Sequence, residues 1–155
     1  MIHWEAEFSG VFLPVSFLRS QRRLGASAWS TVRVPFRNVE DFDLLLMTPG
    51  FNIYADGDVF FSAFVTETRP FFDSGYGEVS LRARIQPVPF SPNVWVPENV
   101  VERRSDSGRR SLICDPNPWV RPNDTISDQG GEWLVGLADY SISPTVQQMR
   151  LVEVR

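Results

Sequence analysis

The side chains that perform nucleophilic or metal chemistry are scarce in this sequence. Histidine and cysteine each occur once, as His3 and Cys114. A Ser-His-Asp triad needs a histidine base, and His3 beside Trp4 fits an ordinary strand residue. One cysteine and one histidine do not supply the usual ligands of a zinc site, and we predict that Cys114 is a small buried apolar side chain. The sequence therefore predicts neither a catalytic nucleophile nor a metal centre.

Carboxylates are the remaining candidates for chemistry. Two Asp-X-Asp pairs, at 41–43 and 56–58, are spaced like oxygen ligands of Ca²⁺, but they lack the further acids of a calcium loop. Glu132 and Asp139 leave open a pair of glycosidase type, because the separation of two carboxylates depends on the fold. No glycine-rich phosphate loop is present. We predict a protein that is not an enzyme and has no cofactor, with a carboxylate hydrolase as an alternative.

Charge restricts the class of partner. The chain has 155 residues with 19 acidic and 15 basic side chains, the latter all arginine, for a formal net charge of −4. A domain that binds nucleic acid normally has a basic isoelectric point, whereas the value here is about 5.0. The arginines cluster at 19–23 and 103–110, and such clusters either form solvated loops or bind an acidic protein surface. We therefore expect protein partners and no nucleic acid.

The composition also indicates a folded chain that does not insert into a membrane. Hydrophobic residues make up 43% of the sequence and aromatic residues 13%, which is enough for a buried core at this length. No apolar run approaches the roughly 18 residues that a membrane helix needs. The opening residues, Met-Ile-His-Trp-Glu, lack the basic start and apolar stretch of a signal peptide. We expect one β-rich domain over 1–155.

The first part of the chain alternates between apolar and polar residues, the period of a β-strand. Segments 2–8 and 11–18, joined by Ser9-Gly10, predict a hairpin because this dipeptide tolerates the positive φ of a tight turn. An exposed loop is expected at 19–27. A further strand is expected at 28–36.

One helix is predicted over 38–47. Asn38 can cap it, Glu40 and Asp41 lie in its first turn, and Thr48-Pro49-Gly50 ends it. Its apolar residues share one face, which we expect to be buried. They are Val39, Phe42, Leu45 and Leu46.

Period-two alternation returns after the helix. Further strands are predicted at 51–55, 59–67, 76–85, 111–114, 125–127, 132–143 and 146–154. Asp56-Gly57-Asp58 is the turn of a hairpin, and 68–75 is expected to be a loop. With eight or nine strands and one short helix, the chain is expected to be mainly β, as an antiparallel barrel or sandwich.

Residues 87–110 do not fit the strand pattern. They contain four prolines and then the arginine-rich segment 102–110. We expect a long irregular excursion, an arm or linker between 1–86 and 111–155, and stretches of this kind often contact partners. The predicted partner-binding residues are Trp95, Arg103, Arg104, Arg109 and Arg110 in this arm, with Phe71 and Phe72 in the preceding loop.

Two stretches of the sequence resemble a known family. In residues 51–67, Phe-Asn-Ile-Tyr-Ala-Asp-Gly-Asp-Val-Phe-Phe-Ser-Ala-Phe-Val-Thr-Glu, an acidic glycine turn separates two strands; within 112–143, a Pro-Asn-Asp turn precedes the closing hairpin. The arrangement resembles the β-barrel modules of tail-tip and baseplate proteins of tailed bacteriophages, the hub-like and minor tail proteins. In that family glycine is usual where Ala63 and Asn123 stand here.

The resemblance implies a structural protein of the virion. Such a protein would be made in the host cytoplasm and would reside in the phage tail, with no cofactor and no catalytic residues. It would assemble with other tail proteins, as a homo-oligomeric ring or in a hetero-oligomer. The alternative function is a carbohydrate-binding or host-attachment β module, in which Trp95, Trp119 or Phe71 offers a flat face for sugar stacking.

Overall fold

Thirteen strands and one helix make up the described part of the chain, which covers residues 1–73, 76–87 and 91–154 of a computed structural model. In chain order the elements are β1 (Trp4–Phe8), β2 (Val11–Pro14), β3 (Phe17–Arg23), β4 (Trp29–Pro35), α1 (Val39–Met47), β5 (Gly50–Ala55), β6 (Asp58–Asp73), β7 (Tyr76–Ile85), β8 (Val94–Trp95), β9 (Glu102–Asp106), β10 (Arg109–Cys114), β11 (Thr125–Asp128), β12 (Gly131–Ile142) and β13 (Gln147–Glu153). The predicted mainly β class is confirmed.

The strands form one sheet with the order β2-β1-β5-β6-β7-β4-β3-β12-β13-β10-β9. Neighbours along this path are antiparallel, while β11 branches from β12 and pairs in parallel with β8. Among the described residues the path ends at β2 and β9, so the sheet is not a closed barrel. The predicted count of eight or nine strands is too low, because several short or polar strands lack a clear alternation.

Strand β3 corrects the loop expected at 19–27. It pairs with β4 and with β12, and its inward residues are Leu18, Ser20 and Arg22. A serine and an arginine at inward positions interrupt the apolar alternation on which strand prediction depends. The sequence of this segment is therefore typical of a polar loop, although the strand lies in the middle of the sheet.

Strand β6 corrects the loop expected at 68–75. It continues to Asp73, and Phe71 and Phe72 pair with Glu78 and Gly77 of β7. Positions 74 and 75 of the predicted loop lie outside the described residues. Because this end of β6 extends beyond the core, both faces carry exposed side chains and the sequence shows no buried face.

The excursion predicted over 87–110 contains regular structure. Strand β8, strand β9 and the start of β10 fall within it, and β9 and β10 form a hairpin whose turn residues Ser107 and Gly108 have φ of 53° and 75°. Strand β9 is an edge strand of largely exposed side chains, so main-chain pairing forms it without an apolar face. Residues 88–90 of the predicted arm lie outside the described residues.

Helix α1 is confirmed, with one difference in the face that it buries. Asn38 Oδ1 accepts the Asp41 N–H at 2.8 Å, the expected cap. Leu45 is fully buried, but Val39 is 70% exposed and Leu46 37% exposed. The helix thus packs against the sheet along a narrower stripe than its sequence predicts. None of the helices in the described residues is long and apolar enough to cross a membrane.

The core contains side chains from both ends of the sheet. Among the large, fully buried residues are Phe8, Phe60, Leu81, Tyr140 and Leu151. They belong to one cluster that includes Cys114, which is 2% exposed, as predicted. Burial, followed by the nearby negative charges of Asp115 and Asp128, raises the pKa of the Cys114 thiol to about 12. The thiol is therefore neutral at physiological pH and a poor nucleophile.

Candidate functional site

An exposed aromatic patch lies where α1 meets the far end of β6. The Phe36 and Phe42 ring centroids are 4.8 Å apart, and each lies 5.7 Å from the Phe72 ring. Val39 and Leu46 share the helix face of Phe42, because residues three and four apart are neighbours on a helix. Phe72 is 68% exposed. We call these five residues the aromatic patch; it leaves a group of apolar side chains in contact with solvent.

Gly77 determines how closely the aromatic patch approaches the sheet. The Phe36 ring lies directly over Gly77 of β7, so that a Cβ at this position would overlap the ring. The same two residues are joined by a hydrogen bond from the Phe36 N–H to the Gly77 carbonyl at 3.2 Å. The missing side chain at Gly77 is therefore what allows the Phe36 ring to approach the strand and to pack against Phe42 and Phe72.

Phe71 lies on the opposite face of β6 from Phe72, since successive strand residues point to opposite faces. The Arg33 guanidinium carbon lies 5.7 Å from the Phe71 ring centroid and 5.1 Å from that of Phe17. These are cation–π distances. The two phenylalanines predicted to bind a partner therefore belong to two different surfaces, and only Phe72 is part of the aromatic patch.

The four arginines of the predicted arm lie on the β9–β10 hairpin, where each has an intramolecular partner. Arg103 donates to both Asp128 carboxylate oxygens, at 2.8 and 2.9 Å. Arg110 binds Glu153 through its main-chain N–H and its guanidinium, and Arg109 donates to the Glu153 carbonyl. Arg104 pairs with its strand neighbour Glu102 at 2.7 Å. These contacts fasten the hairpin to β11 and β13.

The ion pairs of the hairpin depend on pH. Hydrogen bonds from Arg103 and Arg110 hold the pKa values of Asp128 and Glu153 below their usual range. A carboxylate with a lowered folded-state pKa stabilises the fold above its unfolded pKa, and this contribution disappears as the pH falls through the folded-state value. These ion pairs therefore stabilise the hairpin at neutral pH and are lost in acid, while the main-chain pairing of β10 with β13 remains.

The Arg110→Gln variant tests this pH dependence. We expect its melting temperature to lie below that of the wild type at pH 7, and the difference to shrink as the pH falls through the folded-state pKa of Glu153, because the protonated carboxyl no longer pairs with the guanidinium. Thermal unfolding followed by circular dichroism across this range measures it. Arg104→Gln is the matched control, because its exposed pair with Glu102 contributes little at either pH. A difference that stays constant in acid would contradict the assignment.

Trp95 and Trp119 line one cavity. The cavity has a volume of about 260 Å³ and lies next to the ends of β8 and β10. Its polar wall residues include Glu98, Asp115 and Asn117, and Trp119 is 38% exposed. The two indoles can stack on a sugar ring, and the neighbouring carboxylate and amide oxygens can accept hydrogen bonds from its hydroxyl groups. Phe71, the third predicted stacking residue, is not in the wall of this cavity.

Asp124 organises the loop next to this cavity, and sequence analysis missed it. Its side chain is buried and accepts hydrogen bonds from the Asn93 N–H at 2.9 Å, the Trp95 indole N–H at 2.9 Å and the Arg121 N–H at 2.9 Å. A carboxylate with three N–H donors fixes the backbone that carries both β8 and the turn before β11. The Pro-Asn-Asp sequence indicates a turn, but nothing in the sequence indicates that the Asp124 carboxylate binds residues at β8.

The structure also locates the carboxylates considered as a hydrolase pair. Glu132 and Asp139 lie on the same strand, β12, seven residues apart, which corresponds to about 20 Å at the rise of a strand. Glycosidase pairs are separated by roughly 5 to 10 Å. Asp139 instead accepts hydrogen bonds from Arg19 and Gln21 of β3. These two residues therefore do not form such a pair.

Comparison with known proteins identifies the fold. No protein-family model and no curated protein matches the sequence. The structure is similar to a tail protein from Neisseria meningitidis MC58, with a TM-score of 0.67 and 6% identity over 98% of this chain and 96% of that one. It is also similar to the prophage MuSo2 43 kDa tail protein from Shewanella oneidensis, with a TM-score of 0.69 and 9% identity over 100% and 97% of the two chains. The chain has the fold of these two tail proteins.

The predicted resemblance to phage tail proteins is thus confirmed at the level of the fold. At 6% and 9% identity the similarity lies in the arrangement of strands and not in individual side chains. It carries over no site residue.

Proposed function

We propose that the protein is a non-enzymatic structural component of a bacteriophage tail, located at the tail tip or baseplate. The observation that carries this proposal is the fold, which matches two phage tail proteins over nearly the whole length of each chain. Partners would be other tail proteins, in a ring of identical copies or in a hetero-oligomer. The protein would be made in the host cytoplasm and become part of the virion, with 1–155 acting as one domain.

The aromatic patch supports this proposal as the main contact surface. Exposed aromatic side chains that cluster with aliphatic ones are typical anchors of protein interfaces. Phe72 and Val39 are 68% and 70% exposed, an arrangement that leaves apolar area in water unless a partner covers it. The arginines of the β9–β10 hairpin form a second proposed contact, through the parts of Arg103, Arg104 and Arg110 that remain exposed.

The Phe72→Asp variant tests the main contact. A charge in the middle of an apolar interface loses its hydration without gaining a partner, so we expect incorporation into tail particles to fall by about tenfold or more. The measurement is complementation of a phage lacking this gene, with the protein quantified in purified particles by mass spectrometry. The isolated variant should remain folded, because Phe72 is mostly exposed.

The matched control for this test is Val146→Asp. Val146 is 53% exposed in the turn before β13, and its hydrogen bonds with Ser143 use only its main chain. We expect this variant to enter particles at the wild-type level. Normal incorporation of Phe72→Asp would contradict the role of the aromatic patch, and absence of the wild-type protein from purified particles would contradict the proposed function itself.

The second candidate function is carbohydrate binding, favoured by the single cavity that Trp95 and Trp119 share. A sugar stacked on Trp119 would change its fluorescence. Titration of the protein with a panel of oligosaccharides, read by tryptophan emission, tests this function. The expected result is a saturable change that is lost in Trp119→Ala and retained in Trp29→Ala, whose exposed indole lies elsewhere on β4.

A further inference from the structure

Arg22 is a buried cation without an anionic partner among the described residues. Its side chain points inward from β3 and is 7% exposed. The guanidinium carbon lies 5.0 Å from the Phe60 ring centroid, and Nη2 donates to the Phe60 carbonyl at 3.3 Å. The other two nitrogens, Nε and Nη1, have no hydrogen-bond partner in the part of the chain that the structure describes. A buried charge in this state carries a desolvation cost that no counter-charge offsets.

The charge of Arg22 is further opposed by its surroundings. Its pKa is lowered to about 10, first because burial penalises the charged form and then because the positive charge of Arg121 lies nearby. Arg22 therefore remains a cation at neutral pH. A second cation close to a buried first one makes the site favourable for an anion and unfavourable for another positive group.

A cavity of about 490 Å³ adjoins Arg22. Three arginines from separate parts of the fold line it at different depths: Arg84 of β7 is exposed, Arg121 is half-buried and Arg22 is buried. The remaining wall comes from residues 25–28, 85–87 and Pro122, so no aspartate or glutamate lines it among the described residues. Arg84 Nη2 donates to the Ser27 hydroxyl at 3.1 Å, which holds it at the cavity wall.

We propose that this cavity is a carboxylate-binding site. A carboxylate that enters the cavity lies beside the arginines of its wall and brings a counter-charge close to the buried Arg22, whose Nε and Nη1 have almost no solvent-accessible surface. The planar carboxylate is complementary to the planar guanidinium: the charges are opposite and the shapes fit. The volume accommodates a small dicarboxylic acid or the end of an acidic side chain from another protein. This inference does not depend on the proposed role in the phage tail.

Calorimetric titration of the full chain with glutarate, at constant ionic strength set with chloride, tests the site. We expect saturable binding, weakened about tenfold by Arg22→Gln, which removes a charged hydrogen-bond donor. Arg84→Gln should weaken it about threefold, since Arg84 is exposed. Arg84→Gln keeps the test decisive if Arg22→Gln does not fold. Arg104→Gln, an exposed arginine outside the cavity, is the control and should bind as the wild type does.

Two further titrants identify the source of the carboxylate. Tighter binding of a tri-glutamate peptide than of glutarate supports an acidic side chain of another protein, and the reverse order supports a free acid. Inorganic phosphate should bind more weakly than either. The proposal is overturned if neither carboxylate binds saturably, if phosphate binds as tightly as glutarate, or if Arg84→Gln binds glutarate as the wild type does.

Discussion

Replacing Phe60 by alanine is expected to lower the free energy of unfolding by about 4 kcal/mol, because it removes a fully buried aromatic ring from the core and leaves a cavity. Phe60 is 1% exposed. Its ring meets Trp4 at 5.4 Å and Phe61 and Tyr140 at 5.1 Å. The three neighbouring aromatic rings and the Arg22 guanidinium all lose the Phe60 ring in this variant. Relaxation of these side chains therefore fills little of the cavity.

A bulge explains why both Phe60 and Phe61 point inward. Ile53 of β5 pairs with Phe61 and Tyr54 pairs with Val59, which leaves Phe60 as the extra residue of β6. An extra residue shifts the alternation of a strand by one position, so two successive side chains can face the core. The Phe60 carbonyl is then available to accept the hydrogen bond from Arg22.

Urea unfolding of Phe60→Ala measures this loss. Phe64→Ala is the control on the same strand, since Phe64 is 55% exposed, and we expect its effect to stay below about 1 kcal/mol. An effect of Phe60→Ala no larger than that of Phe64→Ala would show that the Phe60 ring does not hold the core together.

The second large effect is expected for Asp124→Ala, at about 3 kcal/mol, because three N–H donors lose a charged acceptor in a buried position. Asp124→Asn keeps one oxygen but places an amide N–H₂ toward at least one of those donors. We therefore expect stability to decrease from the wild type to Asn and from Asn to Ala. We expect the Trp95/Trp119 cavity to change shape in the alanine variant, because the Trp95 indole loses the hydrogen bond that orients it.

A double-mutant cycle with Trp95→Phe isolates the indole contribution. Trp95→Phe removes one donor to Asp124 and leaves the Asn93 and Arg121 main-chain bonds in place. We expect a coupling free energy of about 1 kcal/mol between Asp124 and Trp95 from chemical denaturation. Additive effects of the two substitutions would contradict a direct Trp95–Asp124 bond.

The parts of the fold that the sequence predicts are those in which local chemistry and burial agree. The Ser9-Gly10 and Asp56-Gly57-Asp58 turns join strands with one buried face, and all of Ser9, Gly10, Asp56 and Gly57 adopt positive φ. Helix α1 begins at its asparagine cap and is stopped by Thr48-Pro49-Gly50. In each case the turn or cap residues and the apolar pattern predict the same boundary.

The rest of the fold depends on long-range pairing that leaves no local pattern. Arg22 in β3 faces inward because β12 and the Phe60 carbonyl surround it, and no periodicity predicts a buried arginine. Strand β9 forms by pairing with β10 although its side chains are largely exposed. Such strands are specified by main-chain hydrogen bonds to a partner strand, which an apolar pattern does not record.

The candidate site was predicted in part. Phe72 was predicted because it is an aromatic residue in an expected loop, and the structure adds α1, which brings Phe42 to it. The arginines of 103–110 were expected on a free arm, whereas Asp128 and Glu153 from distant strands pair with Arg103 and Arg110. Contacts between residues that lie 25 or 43 positions apart follow from sheet order, and sequence spacing alone does not give them.

The pairing of β3 with β12 has a consequence for synthesis of the chain. Leu18 pairs with Ile142 and Arg23 with Leu137, so β3 leaves the ribosome more than a hundred residues before its second neighbour. At the usual rate of translation this interval is on the order of 10 s. Throughout that time β3 is an open edge, and its outward Arg19, Gln21 and Arg23 discourage pairing with other nascent chains. In the folded protein β12 covers this edge, and Arg19 forms an ion pair with Asp139.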